Sequence, residues 1–265
     1  MYAALPMYDL AAVNQVTDAL WSGIRDHLRH NGLSAPDGLN RDVPLAQGWL
    51  RRDLVLSQTC GLPFVRHLRG KVQLVGAVDQ GLPGIAAGNY CSRIVVRRED
   101  WAMGGTALAD YRGRCCAFNA PDSQSGAGAM RHLVMPLLQG ARFFGQTLQT
   151  GSHFAAITAV AEARADIAAI DAATWRLAEQ HLPAAGALTV LTSSEPTPGL
   201  PLITALGGPV QPLFAAVNAA LAALSAAQRD AIGFHRIVPR AEADFAPVAA
   251  WDAEATAARY RELDG

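Results

Sequence analysis

An α/β fold is predicted by three observations. Segments with helical apolar spacing alternate with short strand-like runs from one end of the chain to the other. Most of those short runs leave through turns rich in Gly, Pro, Ser or Asn. The chain has 265 residues, 51% of them hydrophobic, enough to bury a core without a metal or disulfide.

The elements follow in order. Ala3–Met7 reads as a short strand, and Asp9 as the N-cap of a helix running to about Arg29. Its apolar stripe is Leu10, Val13, Val16, Leu20, Ile24 and Leu28, and Asn31-Gly32 stops it. Leu54–Leu56 is a strand ending in Ser57-Gln58-Thr59, and Val72–Val78 is another. Tyr90–Arg98, with Ile94, Val95 and Val96 in series, is the most β-prone stretch. A short helix at Ala107–Tyr111 and a strand at Arg114–Phe118 come next. The loop Asn119–Gly126 then opens a helix to about Leu138. A strand near Gln146–Gln149 leads through Gly151-Ser152-His153 into a further helix. Asp166–Ile170 is a strand ending in Asp171, with a helix from Ala172. Leu188–Leu191 is a strand that leaves through Ser193–Gly199, and the remainder reads as mostly helical, with an Ala-rich helix near Pro209–Leu224.

Composition excludes several functions. With 22 basic against 23 acidic residues, the net charge of -1 gives no electrostatic footprint for nucleic acid. The single lysine, Lys71, stands in Arg-Gly-Lys-Val and lacks the glycine-rich cradle of a P-loop. The most apolar stretch, Pro209–Leu224, is shorter than the roughly 20 residues of a membrane span and contains Gln211 and Asn218, so no membrane insertion is expected. Met1–Pro6 has no basic region and soon meets Asp9, so no signal peptide is read there; either the protein is cytoplasmic or an export signal lies outside this numbering. Cys60, Cys91, Cys115 and Cys116 have no zinc or disulfide-scaffold spacing, and no metal or cofactor is expected. In a strand, Cys115 and Cys116 would face opposite sides, one of them into the core. The histidines at 27, 30, 67, 132, 181 and 235 read as surface residues.

Polar residues collect where strands end, which is where open α/β sheets bind ligands. They are Tyr8, Ser57, Gln58, Thr59, Ser123, Gln124, Ser125, Ser152, His153 and Asp171. Hydroxyls and amides with one imidazole suit recognition of a small polar ligand better than bond breaking. Asn119-Ala-Pro-Asp-Ser-Gln-Ser-Gly126 is the sharpest element: a helix entry leaves N–H groups pointing at one spot under a positive dipole end. Gly126 there admits a ligand close to the backbone. An ordinary N-cap has the same composition, and the same alternative holds for Ser152-His153 and Asp171. Tyr8 and Tyr90 read equally well as cleft aromatics or core.

The order of these pieces resembles the substrate-binding proteins of phosphate, phosphite and phosphonate ABC transporters, the PhnD-like family. The matching residues are Leu5–Asp9, Leu56–Gly61, Tyr90–Val96, Leu108–Gly113, Asn119 with Ser123–Gly126, Gly151–His153, Ala165–Asp171 and Pro198–Pro201. The resemblance implies a two-lobed type II periplasmic binding protein fold with two hinge crossings. Lobe one would be 1–92 with 193–265, lobe two 93–192, and the ligand would be clamped between them. It carries ligand contacts over to Ser123, Gln124, Ser125 and His153, and less directly to Tyr8, Thr59, Tyr90 and Asp171. The function implied is a non-catalytic binding protein for a small oxyanion, serving an ABC permease from the periplasm as a monomer. The alternatives are a cytoplasmic ligand sensor of this fold, or an enzyme: a cysteine hydrolase using Cys60 with His153, or a cofactor-biosynthetic enzyme built on this fold. Cys60 and Cys91 are expected to lie near each other. No basic residue that would neutralise a phosphate dianion stands out.

Overall fold

The computed structural model describes residues 1–138, 142–260 and 263. The chain divides into two compact units, Met1–Asn89 with Pro198–Ala246, and Tyr90–Thr197 with Pro247–Gly265. Asn89–Tyr90 and Thr197–Pro198, where the chain crosses, are paired strands.

The first unit is built on a five-stranded sheet in the order Tyr2–Ala4, Leu54–Gln58, Pro201–Ala205, Val72–Asp79 and Arg236–Val238. Tyr2–Ala4 runs parallel to Leu54–Gln58, while Pro201–Ala205 runs antiparallel to both Leu54–Gln58 and Val72–Asp79. The carboxyl ends of the three N-terminal strands therefore share one edge. Helix Asn14–His30 packs on helix Val210–Ala223. Small residues set their approach where they meet: a Cβ on Gly23 would lie 3.0 Å from the Cβ of Ala220.

Two expectations are corrected here. Asp9 does not cap the first helix, which starts at Asn14 after Val13; the Asp9 carboxylate instead accepts two hydrogen bonds from Arg41. The region after Gly199 is not simply helical. Pro201–Ala205 is an interior strand of the first sheet, and Arg236–Val238 lies at its edge.

The second unit has the strand order Gln146–Gln149, Cys115–Phe118, Ile167–Asp171, Ser92–Arg97, Leu188–Ser193. Cys115–Phe118 is parallel to both its neighbours, and Ser92–Arg97 is antiparallel to both of its own. Each face of this sheet carries its own core. Ile94, Val96, Cys116, Met130, Ile167 and Ala169 pack on one side. Val95, Ala117, Ile157, Val160, Ala168 and Ile170 pack on the other. Cys116 is buried and Cys115 only partly so, as strand alternation requires.

The C-terminal residues depart from expectation. Residues from Pro247 onward belong with the second unit, not with lobe one, and so do 193–197. The reason is packing: Trp251, on helix Ala246–Ala257, stacks on His132 with ring centroids 3.9 Å apart and planes at 10°. Tyr260 and Leu263 then enter the core containing Ile94 and Met130. His132, expected on the surface, is thus half-covered.

Candidate functional site in the second unit

Three parallel strands bring three strand–helix turns to one edge of the second sheet. Phe118 is followed by Asn119–Ser123, Gln149 by Thr150–Ser152, and Asp171 directly by a helix. The first two turns are tied together: the Gly151 N–H donates to the Asn119 carbonyl at 3.0 Å, and Thr150 Oγ1 donates to the Phe118 carbonyl at 3.0 Å. Gly151 takes φ +81°, a left-handed conformation that glycine adopts without strain. The result sets Ser123 and His153 at neighbouring helix starts.

The helical run begins at Gln124, so Ser125 and Gly126 lie in its first turn rather than in a loop. Ser123 is the N-cap, and its Oγ accepts the Gly126 N–H at 3.0 Å. Ser125 Oγ lies 3.5 Å from Ser123 Oγ and 2.9 Å from His153 Nε2. Asn119 completes the cluster: a Cβ on residue 126 would fall 2.0 Å from its Oδ1, so only glycine fits. That oxygen is buried and has no hydrogen-bond partner among the described residues. Ser123, Gln124 and Ser125 are all buried.

Burial holds the His153 imidazole far below its ordinary range, at about 4, with the Ala169 backbone acting in the opposite sense. The ring is therefore neutral at pH 7. Among the described residues no arginine or lysine bonds to Ser123, Ser125 or His153. The cluster is a set of neutral donors beside two helix N-termini, suited to an anion held by hydrogen bonds and dipoles.

The other candidates have defined places. Ser152 caps helix His153–Ala161 by accepting the Ala155 N–H at 3.1 Å. The buried Asp171 caps helix Ala172–His181 through the Thr174 N–H at 2.9 Å. Tyr90 is buried at the chain crossing. Tyr8, Gln58 and Thr59 belong to the first unit and are buried there. Gln80 donates its amide to the Tyr8 hydroxyl, and Gln58 Oε1 accepts the Met7 N–H at 3.3 Å. Gln80 and Thr150 escaped the sequence reading. Gln80 follows the carboxyl end of strand Val72–Asp79, the one signal that could have found it.

Among the described residues no group of His, Cys, Asp and Glu could hold a metal, and no disulfide joins any of the four cysteines. Cys60 and Cys91 thus form no disulfide. Burial raises the Cys91 thiol above its ordinary value, Asp171 adding to and Arg93 opposing that effect.

Comparison with solved structures shows the same fold. XAC2383 from Xanthomonas citri, bound to chloride, matches at 16% identity and a TM-score of 0.71, with 98% of each chain covered. PhnD1 from Prochlorococcus marinus, in complex with methylphosphonate, matches at 14% identity and TM-score 0.71, covering 96% of this chain and 98% of that one. A binding-protein component of an ABC phosphonate transporter from Pseudomonas aeruginosa, PA3383, matches at 16% and 0.70, covering 98% and 87%. No curated protein sequence matches the chain. The fold is that of the type II periplasmic binding proteins.

Within that class the family is defined by sequence. Residues 52–245 match the model of the phosphonate ABC transporter periplasmic substrate-binding proteins, and the chain belongs to this family. The family is one of substrate-binding proteins rather than enzymes, and it is periplasmic. Among the described residues no helix is long and apolar enough to cross a membrane.

Proposed function

We propose that this chain binds a small phosphonate or phosphate-type oxyanion and delivers it to an ABC permease. The observation that carries the reading is the 2.9 Å hydrogen bond joining Ser125 to His153 across two neighbouring helix starts. Ser123, Gln124, Ser125, Gly126 and His153 form the core of the proposed site, with Asn119 and Ser152 shaping it. Tyr8, Gln58, Thr59, Tyr90 and Asp171 are its further members by family resemblance. The fold relative solved with methylphosphonate supports that ligand class.

Calorimetry with methylphosphonate, phosphite, phosphate and sulfate tests this reading. A hydrogen bond to a charged group contributes roughly 1.5–3 kcal/mol, so Ser125→Ala should weaken binding about ten- to a hundredfold. The first-turn N–H groups remain, so binding is reduced rather than abolished. Ser22→Ala, on the first helix, serves as control. A lowered Tm with unchanged affinity for Ser125→Ala would remove Ser125 from the site.

A further inference from the structure

We propose that anion binding at Ser125 is coupled to protonation of His153, so that the bound ligand faces an imidazolium absent from the ligand-free protein. This rests on the oxyanion reading above and adds a charge to a site otherwise made of neutral donors.

The first argument is a count of hydrogens. Ser125 has one hydroxyl proton, and its Oγ lies 2.9 Å from His153 Nε2. In a neutral ring protonated at Nδ1, Nε2 is an acceptor and competes with the ligand for that proton. Ser123 accepts the Gly126 N–H and keeps its own proton to donate, so the competition is confined to Ser125. The neutral Nε2–H tautomer and the imidazolium both end the competition, Nε2–H donating to Ser125 Oγ while the serine proton turns to the anion; the imidazolium alone also brings a positive charge. The Nδ1 side is sealed from water, and the Ala169 backbone favours the charged ring.

The second argument is charge. The helix His153–Ala161 packs against strands Ser92–Arg97, Cys115–Phe118, Ile167–Asp171 and Leu188–Ser193, helix Ala172–His181 and the turn Pro183–Ala187. The titratable groups on those elements are Arg93, Arg97, Cys115, Cys116, Asp171, Arg176, Glu179 and His181. The first turn Gln124–Gly128, which His153 touches through Ser125, and the helix His153–Ala161 beyond the ring add none. None of these groups shifts His153; burial and the Ala169 backbone alone decide its charge. Arg97 is committed to Asp100 and Asp166, and Arg93 to Ser193. An anion accepting from Ser125 would lie within about 6 Å of the ring, close enough to favour its charged form.

Calorimetry at pH 6 in two buffers of different ionisation enthalpy counts the protons taken up with methylphosphonate or inorganic phosphate. The ligand's own titration is common to the wild type and His153→Gln, which keeps an N–H donor but cannot titrate. The wild type should take up about half to one proton more per ligand, and its affinity relative to the variant should gain up to about tenfold per pH unit on acidification. Imidazole nitrogen shifts in the wild type give a second readout, independent of any variant: phosphate saturation should move His153 from neutral to cationic. Binding with equal proton counts, or a ring that stays neutral when saturated, overturns the coupling and leaves the oxyanion reading standing. Absence of binding by the wild type to any of the four ions overturns both.

Discussion

Ser123 and Ser125 stand two residues apart and do different work. The Ser123 oxygen accepts the Gly126 N–H, as an N-cap requires, and keeps its own proton to donate, while Ser125 reaches the neighbouring helix through His153. Ser123 is therefore a cap in the ligand-free protein whatever else it contacts, and its proposed ligand role is read separately, from affinity. Ser123→Ala should lower stability by about 1 kcal/mol, the usual cost of a lost cap, visible as a reduced Tm of the ligand-free protein. A Ser123→Ala protein that keeps its Tm would contradict the capping role. The Ser-x-Ser-Gly entry and the Ser-His turn were legible in the sequence because each follows a strand. The purpose of Gly126 was only half legible: its missing Cβ makes room for the Asn119 oxygen, a contact from the start of the loop into the first helical turn. Tyr8 and Gln58 show the limit on the other side. Their partners Gln80 and Met7 are brought in by the sheet and the loop beside it, 72 and 51 residues away, and local spacing carries no trace of them.

At the level of elements, the alternation of helix and strand was readable through most of the second unit, but helix Arg98–Ala102, which follows Ser92–Arg97 with no turn between them, was not. Pro201–Ala205 was missed because a five-residue apolar run fits a strand or a buried helical turn equally well. Its place between Leu54–Gln58 and Val72–Asp79 is set by pairing with strands more than 120 residues earlier. The C-terminal helix was assigned to the wrong unit for a related reason: its sequence is amphipathic in no strong sense, and Trp251 alone declares what it packs on. That residue is 8% exposed and stacked on His132, while Arg131 faces Asp252 at 4.0 Å. Trp251→Ala should destabilise the second unit by about 3 kcal/mol, within the range for truncating a large buried aromatic. Urea denaturation measures it. Trp101→Ala, at a residue 48% exposed, should stay within about 0.5 kcal/mol of wild type. Equal effects from the two would show that the helix does not rely on its stack.

The whole molecule interleaves two units along one chain, with crossings at 89/90 and 197/198 and a return to the second unit at 246/247. Each unit has its sheet, and each presents the carboxyl ends of parallel strands with proposed ligand residues at them. Tyr8, Gln58 and Thr59 are on the first unit; the Ser123–His153 cluster is on the second. If the proposed ligand residues of each unit contribute to binding, affinity must respond to changes in both sets. A neutral hydrogen bond contributes roughly 0.5–1.5 kcal/mol, so Tyr8→Phe and Thr59→Val should each weaken methylphosphonate binding by about two- to tenfold. The alternative has its own signature. Tyr8 bonds Gln80, and Thr59 Oγ1 bonds the Cys60 carbonyl at 3.3 Å, so purely internal roles would lower Tm and leave affinity alone. Titrating both variants beside Ser125→Ala distinguishes the cases. Loss of affinity confined to Ser125→Ala would remove Tyr8 and Thr59 from the proposed site.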